Sequence, residues 1–392
     1  MLVFYAGLRY NGFIRNKNRQ SAEVCEFMKI RKLIGLPFIT LVVVFLASCG
    51  SQPESEPPRQ WLEEAHGNLA IYHIEHINDN FYNRIAFSQR EQEMADWIVT
   101  QLLDMGYTYD CIYIQGFSRD DVGGYLRHTW DTIAEAFYWL DVDVMGFYSQ
   151  NVILTVPGQS QQTIIVGAHY DSLPLPGASD NASGVSLLLE SAYRMRYEEP
   201  YHTIVYAFFG AEEIGLLGAF FYYNSLSESQ LDDMVMMINA DSLFEGEFPI
   251  YGAGTLLRSG SALNHEVFWA HSDNNVSRQV HSIAREINQT HDVNITWLPT
   301  ATTNVGSDHR VFLLEGHTVV ILAGGHWHRY GVYDFLGGGW GSFGGYTIAN
   351  RILHTDMDCF HYINQRWPNK IQRAMETYSI FLEQILLGEF GG

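Results

Sequence analysis

Apolar positions along this chain fall into two patterns. The first is helical. In Ser88–Met105, residues Met94, Trp97, Ile98, Leu102 and Met105 recur three and four apart, and Gly106 follows as a stop. The spacing predicts a helix with one face on a core. The same reading predicts helices over Ala182–Met195, Leu216–Asn224 and Pro368–Phe390. The last has Ile371, Met375, Tyr378, Leu382, Ile385 and Leu386 on one face.

The second pattern is the short continuous apolar run. It occurs at Asn151–Val156, Thr163–Ala168, Thr203–Phe209, Met234–Asn239 and Thr318–Ala323. Runs that do not alternate suit strands covered on both faces. Strands and helices in alternation predict an α/β fold: three layers, with a mostly parallel central sheet flanked by helices on both faces. Asp110–Gly146 and Gly324–Asn350 break the rhythm and are expected to be insertions or surface loops. The second holds seven glycines from Gly331 to Gly345, with Tyr333, Phe335, Trp340 and Phe343 between them. Those aromatics are candidates for a wall against an apolar side chain of a substrate.

The N-terminal part has a different grammar. Met28–Gly50 reads as a basic stretch (Lys29, Arg31, Lys32), an apolar stretch from Leu33 to Ser48, and Leu46-Ala47-Ser48-Cys49. The apolar stretch is shorter than the ~20 residues of a spanning helix. Small residues before a cysteine match a bacterial lipoprotein signal, with Cys49 as the lipidated residue. The alternative is a plain export signal or membrane anchor. Signal peptides begin with their basic region, so residues 1–27 are expected to be a mis-annotated extension before a start at Met28. Residues 28–48 would be the signal and 49–60 a Ser/Pro/Glu tether. Residues 61–392 would form the folded domain of an exported protein held to a membrane by its lipid.

Composition narrows the function. Of 392 residues, 47% are hydrophobic and 17% charged, which reads as globular. The net charge is −21, and beyond residue 48 the only lysine is Lys370. Nucleic acid is excluded as a partner, because phosphate binding needs clustered Lys and Arg. The acidity reads first as a solvated surface. Cys25, Cys49, Cys111 and Cys359 form no CxxC or Cys/His zinc pattern, so a metal here would be held by His and carboxylates. An exported compartment permits a Cys111–Cys359 disulfide, and the sequence does not show their proximity.

Candidate chemistry lies just past the strand ends. Thr163–Ala168 is followed by His169-Tyr170-Asp171, Thr203–Phe209 by Gly210-Ala211-Glu212-Glu213, and Met234–Asn239 by Ala240-Asp241. The carboxyl edge of an open α/β sheet is where ligands bind. Asp180 stands at the start of a predicted helix, where it is either a ligand or a simple N-cap. His354 is a further candidate, in competition with His309, His317, His326, His328 and His361.

These segments stand in a known order. His169-Tyr170-Asp171, Ser179-Asp180-Asn181-Ala182-Ser183-Gly184, Ala211–Gly218, Asn239-Ala240-Asp241 and His354-Thr355-x-x-Asp358 resemble the co-catalytic zinc aminopeptidases of the bacterial leucyl aminopeptidase type. Gly306-Ser307-Asp308-His309 also looks like a segment of that family. The resemblance covers roughly residues 85–385. It implies two Zn2+ ions, one on His169 and Asp241, the other on Glu213 and His354, with Asp180 bridging. It implies that Asp171 accepts a hydrogen bond from the His169 ring and that Glu212 is the general base. The implied activity is hydrolysis of peptide bonds by an activated water, with peptides as substrates and removal of N-terminal residues as the leading reading. A glutaminyl-peptide cyclase with one zinc, a carboxypeptidase-type relative and a non-catalytic binding module on the same fold remain alternatives. The Gly-rich stretch before His354 and Cys359 after Asp358 depart from the family pattern and leave substrate preference open. Oligomeric state is open as well.

Overall fold

The computed structural model describes residues 65–118, 121, 148–246, 248–262, 265–271, 274–298, 306–325 and 352–391. All belong to one unit, Gln60–Gly392. Cys49 and the signal segment lie outside the described residues. Among those described, no helix is long and apolar enough to cross a membrane.

A nine-stranded sheet organises the fold. Its strands are β1 (Ile112–Ser118), β2 (Tyr148–Val156), β3 (Thr163–His169), β4 (Thr203–Phe209), β5 (Met234–Ala240), β6 (Phe248–Ala262), β7 (His265–His271), β8 (Thr296–Trp297) and β9 (Val319–Gly325). The order is β1-β2-β4-β3-β5-β9-β6-β7, with β8 beside β6. The four central strands β4-β3-β5-β9 run parallel, as their continuous apolar runs predict. Antiparallel pairs flank this centre on both sides, β1-β2-β4 at one edge and β9-β6-β7 at the other.

Side chains alternate across the sheet with period two and so build two cores. Ile164, Val166 and Ala168 of β3 and Ile204, Tyr206 and Phe208 of β4 face the larger core. It is closed by α1 (Asn68–Asn80), α2 (Gln89–Asp104), α3 (Ser183–Met195), α6 (Asn275–Thr290) and α9 (Lys370–Leu386). Ile165, Val205, Ala207 and Phe209 face the other core, under α4 (Leu217–Ser225) and α7 (His309–Leu314). Two short helices complete the fold, α5 (Glu228–Asp232) and α8 (Phe360–Arg366).

Helix α2 begins where the sequence predicts. Ser88 caps it by accepting the Glu91 N–H at 3.1 Å, and Met94, Ile98 and Leu102 are wholly buried. Each such burial contributes about 1.5–3 kcal/mol.

Several elements have no counterpart in the apolar pattern. Strand β1 lies inside Asp110–Gly146, which the pattern reads as an insertion or surface loop; its buried and exposed side chains follow no regular alternation. Edge strands keep one face and one side in water, so their sequence is mixed. Beyond Ser118 that stretch, apart from Asp121, and Gly324–Asn350 beyond Gly325 lie outside the described residues. Cys111 and Cys359 are both free thiols.

Candidate metal centre

Because β4, β3 and β5 are adjacent and parallel, their carboxyl ends open side by side. His169 pairs with Phe209 in register, so Glu212 and Glu213 follow on one side of His169, and Asp241 on the other. Asp180 arrives from the turn after β3. That turn, Ala178–Ala182, has non-helical backbone at Asp180 and Asn181 and a cis Asp180–Asn181 peptide bond. Helix α3 has no side-chain cap from Asp180; Asn181 Oδ1 instead accepts the Gly184 N–H at 2.9 Å. The carboxylate of Asp180 is thereby released for the site.

Its two oxygens face two imidazoles. Oδ1 lies 3.2 Å from His169 Nε2 and Oδ2 lies 3.0 Å from His354 Nε2. Around His169 Nε2 stand also Asp241 Oδ1 at 3.5 Å and Glu212 Oε2 at 4.0 Å. Glu213 Oε2 is 3.8 Å from His354 Nε2, and its other oxygen accepts the Leu173 N–H at 3.2 Å. His169, Glu212 and Asp241 form one group whose donor atoms lie within 4.8 Å of one another, and His169, Asp180 and Glu213 form a second.

The donor set fits zinc, which takes imidazole nitrogen and carboxylate oxygen readily. His169 Nε2 is buried, has no hydrogen-bond partner among the described residues and faces the carboxylates of Asp180 and Asp241. A buried orphan of this kind would be costly unless a cation completes it.

The electrostatics point the same way. Burial opposes protonation of His169, but Glu212 and contacts with Asp171, Asp180 and Asp241 outweigh it and raise its pKa well above the usual value. Burial also opposes the charged form of His354, and Asp180, Glu213 and Asp241 overcome it, raising the pKa to about 9. Glu213 is pushed up to about 8 by burial and by Asp180, and Glu212 well above its usual range by burial, Asp308, Glu213 and Asp241. Asp180 goes the other way: burial is outweighed by its close contacts with the His169 and His354 rings, which lower its pKa. The cluster is short of positive charge, and protons and metal ions compete for the same lone pairs.

Asp171 serves two loops. Its oxygens accept the N–H groups of Glu212 at 2.9 Å and Glu213 at 3.2 Å. His169 Nδ1 lies 3.2 Å from the Asp171 main-chain oxygen and 3.5 Å from Oδ1.

The competing histidines are engaged elsewhere. His317 meets the Tyr223 hydroxyl at 3.0 Å, His361 meets Asp79 at 2.9 Å, and buried His309 lies 3.5 Å from Asn239 Nδ2. His326 and His328 lie outside the described residues.

Four buried charges near the site carry no role in the sequence reading: Arg84, Glu91, Asp308 and Asp358. Asp308 is wholly buried, with neither oxygen hydrogen-bonded among the described residues. Burial, with Asp241 and Asp171, raises its pKa to about 8. It stands in the Gly306–His309 segment and Asp358 in the His354–Asp358 segment, so motif order was their available signal. Arg84 had none, and Glu91 had only its place in Ser88-x-x-Glu91, which reads as a helix cap.

Residues 151–379 match the sequence profile of peptidase family M28, a span of more than half the chain that includes all five candidate ligands. The chain belongs to peptidase family M28. Over 79 residues this M28 chain is 44% identical to aminopeptidase YwaD of Bacillus subtilis, covering 20% of the chain and 17% of the relative. Over 108 residues it is 38% identical to the probable lipoprotein aminopeptidase LpqL of Mycobacterium tuberculosis, covering 26% of the chain and 21% of the relative. Both matches thus span about a fifth of the relative's length. The M28 fold is shared with BSAP, a zinc aminopeptidase from Bacillus subtilis (TM-score 0.57, 16% identity, 82% of this chain and 95% of that one). It is also shared with a glutaminyl cyclase from an Acidobacteriales bacterium (TM-score 0.53, 15% identity, 82% and 93%).

Proposed function

We propose that this M28 protein is a zinc-dependent aminopeptidase that holds two ions. The observation that carries the reading is Asp180, whose two carboxylate oxygens each face a different imidazole. A carboxylate so placed can offer one oxygen to each of two ions about 3.5–4 Å apart. His169 and Asp241 would hold one ion, Glu213 and His354 the other. Zinc in these positions supplies Lewis acidity, polarising the scissile carbonyl and acidifying a water.

The remaining work falls to the chain. Glu212 is buried and belongs to the His169–Asp241 group, but it stands farther from His169 Nε2, at 4.0 Å, than Asp180 and Asp241 do, so its carboxylate is left to take a proton. It would accept the proton of the attacking water and return it to the leaving amine. Asp171 fixes the Glu212 and Glu213 backbone, so both side chains start from a set origin. Burial first, and then neighbouring acidic groups including Asp308, push the Glu212 carboxyl well above its usual range, so it takes up a proton readily.

The protein is further proposed to be exported and anchored through a lipid on Cys49. The Leu46–Cys49 signal supports this, as does the likeness to a relative named as a probable lipoprotein.

A panel of aminoacyl chromogenic substrates and a glutaminyl peptide, with and without chelator, tests the activity. Chelator-sensitive release of the chromophore supports the aminopeptidase. Cyclisation of the glutaminyl peptide without aminoacyl hydrolysis would replace it with a cyclase, and inactivity on both would leave a binding module.

A further inference from the structure

Arg84, in the segment between α1 and α2, and Glu91, in the first turn of α2, are two fully buried ionisable side chains that the reaction above does not use. Both precede residue 151, where the match to family M28 begins. Each reaches a different ligand-bearing loop. Arg84 donates from Nε to the carbonyl of Tyr170, from Nη1 to that of Pro176 and from Nη2 to that of Gly177, each at 2.7 Å. Its own carbonyl accepts the Ser172 N–H at 3.1 Å. These partners make up the connection from His169 to Asp180. Glu91 Oε1 accepts the Ala211 N–H at 2.9 Å and the Ser149 hydroxyl at 2.8 Å, and Oε2 accepts the Phe87 N–H at 2.6 Å. Ala211 opens the loop that carries Glu212 and Glu213, and it stands at φ 56°, where a residue with a Cβ is strained.

Two glycines leave room for this arrangement. A Cβ on Gly177 would lie 2.8 Å from Arg84 Nη2 and 2.3 Å from the Asp180 carbonyl oxygen. A Cβ on Gly210 would lie 2.3 Å from Ser149 Oγ. The first loop thus closes onto Arg84, and the second onto Ser149 of β2, whose hydroxyl Glu91 accepts.

We propose that Arg84 and Glu91 form a positioning clamp that sets the separation between the His169–Asp180 loop and the Glu212–Glu213 loop, and through it the spacing of the two zinc positions. The proposal rests on the two-ion reading. Asp171 links the same loops from the site side; the clamp holds them from behind. Neither clamp residue touches the reacting atoms. Geometry rather than charge carries the role, since a planar guanidinium serves three carbonyls at once, whereas a lysine keeps the charge and loses the fork. Glu91 likewise offers two acceptor oxygens to three donors, whereas glutamine would turn an amide N–H2 toward one of them.

Stepwise zinc titration of the full chain by calorimetry, with total zinc counted after dialysis, tests the clamp. Arg84→Lys and Glu91→Gln should bind the first ion as the parent does and the second about ten-fold or more weakly, the scale of lost supporting contacts around metal ligands. Turnover should fall more than KM rises. Ser149→Ala removes a single bond to Glu91 without burying a new charge, so it should fold if the larger changes do not, and should shift the second affinity in the same direction. Parent-like binding of both ions in folded Arg84→Lys and Glu91→Gln, or in Ser149→Ala where those do not fold, would overturn the clamp alone. A parent that takes up only one ion would overturn the two-ion reading and the clamp with it.

Discussion

The carboxylate of Asp358 accepts the amide N–H of Asp180 at 2.9 Å, although 178 residues separate the two in the chain. Its other oxygen accepts the Ser179 N–H at 2.6 Å. Asp358 thus ties the His354 loop to the backbone of the residue that faces both imidazoles. Burial raises its pKa to about 7 against the pull of those two amides and of Arg84. Asparagine has one acceptor oxygen for two amide donors. Asp358→Asn should cost about 1–3 kcal/mol of stability, the scale of a buried group left unsatisfied. It should also weaken zinc binding. Urea unfolding and a zinc titration check this; unchanged values in both would make the tie dispensable.

The adjacent glutamates should separate cleanly. Glu213→Ala should lower zinc content along with rate, because Glu213 Oε2 stands with His354 and Asp180. Glu212→Gln should retain zinc yet lose about 10²–10⁴-fold in turnover, the scale of general-base removal. Metal analysis beside steady-state kinetics decides. Full activity in Glu212→Gln, or the reverse pattern of zinc loss, would contradict the roles proposed.

Zinc affinity should rise with pH. His354 and Glu213 hold protons up to about 9 and about 8 respectively. Below those values a metal must displace them, so binding weakens as pH falls from 9 toward 6. Chelator should correspondingly lower the melting temperature, since ligand bound to the native state stabilises it. A pH-independent affinity would mean that these groups do not hold the ion.

His73 on α1 offers a separate pH test, remote from zinc chemistry. It is buried against Tyr72 and Trp97, and neither ring nitrogen has a hydrogen-bond partner among the described residues. Burial, with help from His76, lowers its pKa from 6.5 to about 3. Above the unfolded value both states are neutral and its contribution to stability is fully present. Below it the unfolded chain takes up a proton that the native chain refuses, so stability is lost as pH falls toward 3. His73→Phe should remove this loss, with an advantage over the parent of about 2–3 kcal/mol at pH 4.5 beyond any at pH 7.5. Melting curves at the two pH values measure it; a constant difference would refute the assignment.

The lipid anchor has a direct test. Cys49→Ser should move the protein from the membrane fraction to the soluble exported fraction. Identical fractionation of the two proteins would dismiss lipidation at Cys49.

Local pattern alone marked the parallel centre of this fold and five of the strands, because a strand covered on both faces must be apolar throughout, as Thr203–Phe209 is. It also marked the residues immediately past three strand ends, His169, Glu212, Glu213 and Asp241, since chain order and strand order together set that edge. Edge strand β1 escaped, for its buried and exposed positions follow no regular period, whereas helices α1 and α6 do carry helical spacing, at Ile71, Ile74 and Ile77 and at Val276, Val280, Ile283 and Ile287. Only the tertiary structure decided that Asp180 serves two imidazoles rather than capping α3, because that depends on the non-helical turn that frees its carboxylate. It also set His354, which the motif order proposes, 3.0 Å from Asp180, and disclosed Arg84, Glu91 and Asp358 beneath the loops. Hydrogen bonds between residues a hundred or more positions apart leave no periodic trace in a sequence; they exist once packing has brought the loops together.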